Sequence, residues 1–78
     1  MIDCIVTTLA ETKVYKKLRS VQVPAVTGAL EVLPGHAEAF AFIAPGNLIL
    51  EDEKGHIEKI RVGKGECHIY NNTVTIIM

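Results

Sequence analysis

Three histidines (His36, His56, His68) and two cysteines (Cys4, Cys67) carry the most reactive side chains of this 78-residue chain. A cysteine held beside a histidine could serve as an activated nucleophile. Cys67 and His68 are sequence neighbours, and neighbours on a strand point to opposite faces. That spacing forbids the pair. Cys67 alternates with Ile69 and reads as a small core residue. His56 lies beside a charged stretch and reads as solvated.

Metal and phosphate chemistry find no better support. Glu51, Asp52 and Glu53 lie next to Lys54-Gly55 without the loop pattern of a calcium site, and read as a solvated hairpin tip. No C-x-x-C spacing exists, so structural zinc is not expected. Gly28, Gly35, Gly46, Gly63 and Gly65 form neither phosphate-binding signature. No cofactor is expected. Lys16, Lys17 and Arg19 make a small basic cluster with one aromatic neighbour, Tyr15. The net charge is −1, so nucleic acid is not an expected partner. Lysines guarding an exposed edge strand explain the cluster better.

His36 stands apart. It follows Pro34-Gly35, where proline fixes φ and glycine can take φ > 0. The pair forms a tight corner between two strands. A side chain just past such a corner is well placed to meet a partner. The plainer reading is a turn histidine bonded to a nearby carbonyl.

The elements that hold this corner read as strands. Ile2–Thr7 is β-branched, with Ile2, Cys4 and Val6 on one face. Leu9–Thr12 is a turn. Val14–Val23 is long enough to bend near Lys16-Lys17. Its second half puts Arg19, Val21 and Val23 on one face, and Leu18, Ser20 and Gln22 on the other. Pro24 ends this strand, because a central strand cannot spare the amide. Gly28 turns the chain into Ala29–Leu33. After the corner, Ala39–Ala44 sets Phe40 and Phe42 opposite Ala41 and Ile43. Pro45-Gly46 turns again. Asn47–Glu51 and His56–Val62 form a hairpin. Glu66–Tyr70 and Thr73–Ile77 form another, joined at Asn71-Asn72, where asparagine tolerates the left-handed conformation.

No helical period persists over ten residues. About eight short strands, with a turn signal roughly every ten residues, predict one all-β domain over residues 1–78, a two-sheet antiparallel β-sandwich of eight to ten short strands. Hydrophobic residues are 49% of the composition and mean hydropathy is +0.28. So small a domain has a thin core, so part of that apolar surface is expected to face a partner. No apolar run approaches the ~20 residues of a membrane helix. The N-terminus lacks a signal-peptide pattern, so a cytosolic or membrane-peripheral chain with free thiols is expected.

The run Val21-Gln22-Val23-Pro24, Gly28, Val32-Leu33-Pro34-Gly35-His36-Ala37, then Pro45-Gly46-Asn47-Leu48-Ile49, resembles the epsilon subunit of F-type rotary ATP synthases. Gly65–Ile69 and Asn72–Ile76 look like the last strands of that family. The resemblance covers nearly the whole chain in order. It implies a sandwich of two five-stranded antiparallel sheets. It also implies a non-catalytic rotor subunit of the central stalk, which joins gamma to the c-ring and couples proton or sodium flow to ATP synthesis. Such a subunit is peripheral to the cytoplasmic face of the cell membrane through its complex.

By the same resemblance, Thr27, Gly28, Ala29, Leu30 and Glu31 match the loop that touches the c-ring. His36, Ala37, Glu38 and Ala39 match the stretch that faces gamma. Glu31 stands where the family often has glycine, and Glu38 where it often has proline. The Lys16-Lys17 segment departs from the family's small-residue turn and is shorter. Typical members continue into a helical hairpin that can inhibit hydrolysis or bind ATP. This sequence stops at Met78, so neither nucleotide binding nor hairpin-based inhibition is expected. The alternative is a free-standing β-sandwich interaction module without a rotor role.

Overall fold

The computed structural model describes all 78 residues and is built entirely of strands and turns. Eight strands follow one another: β1 (Ile2–Thr7), β2 (Thr12–Ala25), β3 (Gly28–Val32), β4 (Ala39–Ile43), β5 (Gly46–Asp52), β6 (Ile57–Val62), β7 (Gly65–Tyr70) and β8 (Thr73–Ile77). No helix is long and apolar enough to cross a membrane.

β2 joins the two layers. Its first half pairs with β1, from Thr7↔Thr12 to Ile2↔Leu18. Its second half lies between β3 and β5, where Val21 faces both Val32 and Leu50. One layer is therefore β4-β7-β8-β1 with the start of β2. The other is β3, the end of β2, β5 and β6. Their inner faces meet in one core. Cys4, Cys67, Ile69, Val74 and Ile76 come from the first layer, and Val21, Val23, Val32, Leu48 and Leu50 from the second.

The all-β sandwich agrees with the sequence pattern. Its eight strands fill nine positions, five in one layer and four in the other, where the resemblance implies ten, because β2 contributes to both layers. All pairings are antiparallel but one: β1 runs parallel to β8, with Cys4 opposite Val74. Alternation along a strand does not encode the direction of its neighbour, so this pair was not visible in the sequence.

Two local expectations are corrected. Lys16 and Lys17 lie where β2 pairs with β1 alone, at the edge of the first layer, since β5 joins β2 only from Leu18 onward. They are the two residues that oppose Asp3, and Lys17 takes φ 58. This is a β-bulge, which bends the strand and increases its twist. A second register shift follows between Leu18 and Ser20. It reverses the inside-outside phase, so Leu18 is buried beside Val21 and Val23, while Arg19 turns to solvent.

Finally, β2 runs through Pro24 to Ala25. The Pro24 carbonyl accepts from the Ala44 amide at 2.8 Å. In an antiparallel strand N–H and C=O of one residue point to the same edge. The missing proline donor therefore faces the β4–β5 junction, where β2 pairs with neither strand.

Gly65 shows how tightly the β7–β8 end is closed. A Cβ there would collide with the Ile77 carbonyl oxygen. Gly65→Ala is expected to lower unfolding free energy by about 1–3 kcal/mol, as overpacking does. Urea denaturation followed by circular dichroism checks this; an unchanged midpoint would refute the closure.

Candidate functional site

The His36 corner is a β-turn from Leu33 to His36, closed by the His36 amide donating to the Leu33 carbonyl at 3.1 Å. Pro34 and Gly35 are its central residues, and Gly35 takes φ 84. This is the type II arrangement, which demands φ > 0 at its third residue. The turn is anchored from outside. The Gly35 amide donates to Asn72 Oδ1 at 2.7 Å. Asn72 sits in the β7–β8 turn, where Asn71 and Asn72 have φ 51 and 57. Two successive positive φ values define the tight hairpin turn that asparagine favours.

His36 donates from Nδ1 to the Ala37 carbonyl at 2.7 Å, so the histidine stiffens its own segment. Two residues on, Glu38 reaches back to β7 and accepts from His68 Nε2 at 2.9 Å. The His68 ring stacks on Phe40, with centroids 4.2 Å apart and planes 3° from parallel. Tyr70 lies beyond it at 6.0 Å. Ala39 packs against the core.

The second candidate stretch lies at the other end of β3. Thr27 is at the tip of the β2–β3 hairpin, and Gly28 takes φ 126 to return the chain. Ala29 and Glu31 point outward, while Leu30 packs against the core. The Thr27–Glu31 stretch therefore runs along β3, from the hairpin tip at Thr27 to Glu31, one residue short of the strand's end. At 3.3 Å per residue, β3 sets Thr27 roughly 15–20 Å from the Leu33–His36 turn.

The two cysteines are not activated nucleophiles. Cys4 and Cys67 are both buried and free. Burial pushes the Cys4 thiol up to about 12, with nearby Cys67 adding to it, and pushes Cys67 up to about 11. Such thiols stay protonated and unreactive. His68 is on the outer face, away from Cys67, as the alternation required. No group of three or more His, Cys, Asp or Glu side chains is arranged to hold a metal ion.

Two of the three acidic residues, Glu51 and Asp52, shape the hairpin tip. Asp52 accepts from the Lys54 and His56 amides at 2.8 and 2.9 Å and pairs with His56 Nδ1 at 3.2 Å. Desolvation pushes the Asp52 carboxyl upward, but those amides outweigh it and hold it below its ordinary value. Glu51 receives Arg19 Nη2 at 2.8 Å, which lowers its carboxyl in turn. His56, read as merely solvated, thus helps to shape the hairpin tip.

The sequence reading missed Phe40, Phe42, His68 and Tyr70 as a group. A signal existed: Phe40 and Phe42 share a face, and the composition held more apolar residues than a thin core could bury. Which face was inside could not be read from alternation between large and small apolar groups.

The chain is thus a two-layer β-sandwich domain. The delta/epsilon chain β-sandwich domain of ATP synthase matches residues 1–78, and the chain belongs to this family. Its fold is that of a chain in the Euglena gracilis mitochondrial ATP synthase OSCP/F1/c-ring assembly. That match has a TM-score of 0.89 at 24% identity, over 99% of this chain and 49% of the other. A chain of the Tetrahymena thermophila mitochondrial ATP synthase central stalk and c-ring is also similar. Its TM-score is 0.77 at 12% identity, over 97% of this chain and 61% of the other. This chain thus spans about half to three-fifths of those relatives.

Two outcomes follow. The raised thiols contribute stability that is complete below the unfolded-state thiol value of 9.0 and is lost as pH rises through about 11 to 12. Replacing both cysteines with valine is therefore expected to flatten part of the alkaline stability loss seen in urea titrations above pH 9.0; identical pH profiles would contradict it. Asn72→Ala removes the Gly35 contact and disfavours φ > 0, and is expected to cost about 1–2 kcal/mol. Amide exchange at Gly35 and His36 should quicken; unchanged protection would show that the corner holds without this contact.

Proposed function

We propose that this domain belongs to a non-catalytic central-stalk subunit of an F-type ATP synthase, joining gamma to the c-ring and coupling proton or sodium flow to ATP synthesis. The observation that carries the reading is the family match across residues 1–78. Both structural neighbours come from assemblies that contain a c-ring. The placement of the exposed segments is consistent with the role. His36, Ala37, Glu38 and Ala39 face gamma from one end of β3. Thr27, Gly28, Ala29, Leu30 and Glu31, at the β2–β3 tip and along β3, meet the polar loops of the c-ring. The domain is peripheral to the cytoplasmic face of the membrane through its complex.

A single core supports such a bridge. A partner held at each end of β3 feels the other through one packed sandwich, because interiors at crystal-like density transmit strain. The work of the subunit is then mechanical positioning, and its binding surfaces are what substitutions should disturb.

Co-purification from cells with tagged gamma is expected to recover the chain. His36→Ala should weaken that association more than His56→Ala, since His36 stiffens the gamma-facing segment and His56 sits at the β5–β6 tip. Equal effects would reduce His36 to a turn former. No association with gamma in the assembled synthase would overturn the rotor reading and leave the free-standing interaction module.

A further inference from the structure

The two outer faces of the sandwich differ in character. β3, β2, β5 and β6 turn Glu31, Gln22, Asn47, Lys59 and Arg61 to solvent. On the opposite side, β4, β7 and β8 present Phe40, Phe42, Tyr70 and Ile77, exposed by 75%, 69%, 58% and 50%. Apolar residues scattered singly need no explanation, but a contiguous set on neighbouring strands marks an interaction site.

Register arranges this face into rows. Phe42, Glu66 and Ile77 lie side by side across β4, β7 and β8, and Phe40, His68 and Thr75 form the next row. A cleft of about 370 Å³ opens there, lined by Phe40, Phe42, Glu66, His68 and Ile77. Glu66 is exposed and takes part in none of the ion pairs of the fold, so its carboxylate has no cationic partner within 4.0 Å.

We propose that this cleft receives an arginine or lysine side chain from a basic segment of a partner protein. The chemistry matches such a side chain along its length. An aliphatic stem gains apolar contact with Ile77 and Phe42. The cationic head reaches the Glu66 carboxylate and lies against aromatic faces that attract it. Arginine fits better than lysine, because its planar guanidinium both stacks and forks onto a carboxylate. The platform is already ordered. Glu38 fixes His68, and the parallel stack fixes Phe40 upon it. Fewer rotamers remain to be frozen on binding.

Charge decides among occupants. A second copy docking by the same face would bring its own Glu38 and Glu66 against this pair, and like charges oppose that contact. A wholly apolar partner would bury the Glu66 carboxylate without a partner, which opposes binding. An anionic surface would be repelled. Glu38 orders the platform but the side chain is received by the lining of the cleft itself, so the inference does not depend on the rotor reading.

The test uses the 78-residue protein and small probes. N-acetyl-arginine-N-methylamide, titrated in NMR, is expected to shift the ring signals of Phe40 and Phe42 and the methyls of Ile77. N-acetyl-norleucine-N-methylamide has an aliphatic side chain without the charge and should bind about fivefold more weakly or worse. Glu66→Gln should lower arginine affinity to the norleucine level. Phe42→Leu, which keeps apolar bulk and removes the ring, should weaken the arginine probe more than the norleucine probe. Equal affinity for the two probes overturns the proposal. So does arginine binding that survives Glu66→Gln, or the absence of shifts at Phe40, Phe42 and Ile77.

Discussion

One fourteen-residue strand is hydrogen-bonded to four neighbours, and the remaining architecture follows from how it manages this. β2 offers two edges along its length. On one edge it pairs first with β1 and then with β3. On the other it pairs with β5 and then with the end of β4. A flat strand could not serve two layers, because its side chains would stay in a single plane pair. The bulge at Lys16-Lys17 and the register shift beyond Leu18 supply the bend. They also reset the alternation, so Leu18, Val21 and Val23 all face the core. The non-glycine residue at φ 58 carries strain of about 1–2 kcal/mol, and the sandwich closure offsets it.

Closure of the layers then dictates what remains outside. Every buried residue is apolar, and no buried polar side-chain atom lacks a partner. The cost of a thin core appears on the outer surface. β4 places Ala41 and Ile43 inward and its two phenylalanines outward. Rings too large for the space between the sheets become the platform of an open face. The Glu38–His68 contact and the Phe40–His68 stack tie the gamma-facing segment proposed above to that platform, so the corner and the open face share one rigid boundary.

Much of this was legible in the chain itself. The turn signals at Pro34-Gly35, Pro45-Gly46 and Asn71-Asn72 fall where the structure turns, since each reports a local backbone need. The β1 face of Ile2, Cys4 and Val6 was readable for the same reason: alternation is local. What escaped was relational. The parallel β1–β8 pair depends on which strand lies beside which. The misassigned Arg19 face depends on the register shift between Leu18 and Ser20, where no residue carries a turn signature. Pro24 reads as a terminator unless the edge its missing amide faces is known. At the site, Phe40 and Phe42 were correctly paired on one face. With alanine and isoleucine opposite them, hydrophobicity alone could not say which side met solvent.

The short β3 strand gives the two exposed segments a fixed relation. Thr27 and Gly28 lie at one end, and the Leu33–His36 turn at the other. Both ends are pinned, the first by the β2 hairpin and the second by Asn72 across to β7–β8. Neither end has a glycine-rich linker between it and the core; Val32 is 1% exposed and Val23 fully buried. A domain with a hinge along this path would lose orientation between its partners within the hinge's freedom. Here the path from one segment to the other runs through paired strands only. The sandwich thus holds both segments at one separation and one orientation, which a bridging role requires and a loose tether cannot provide.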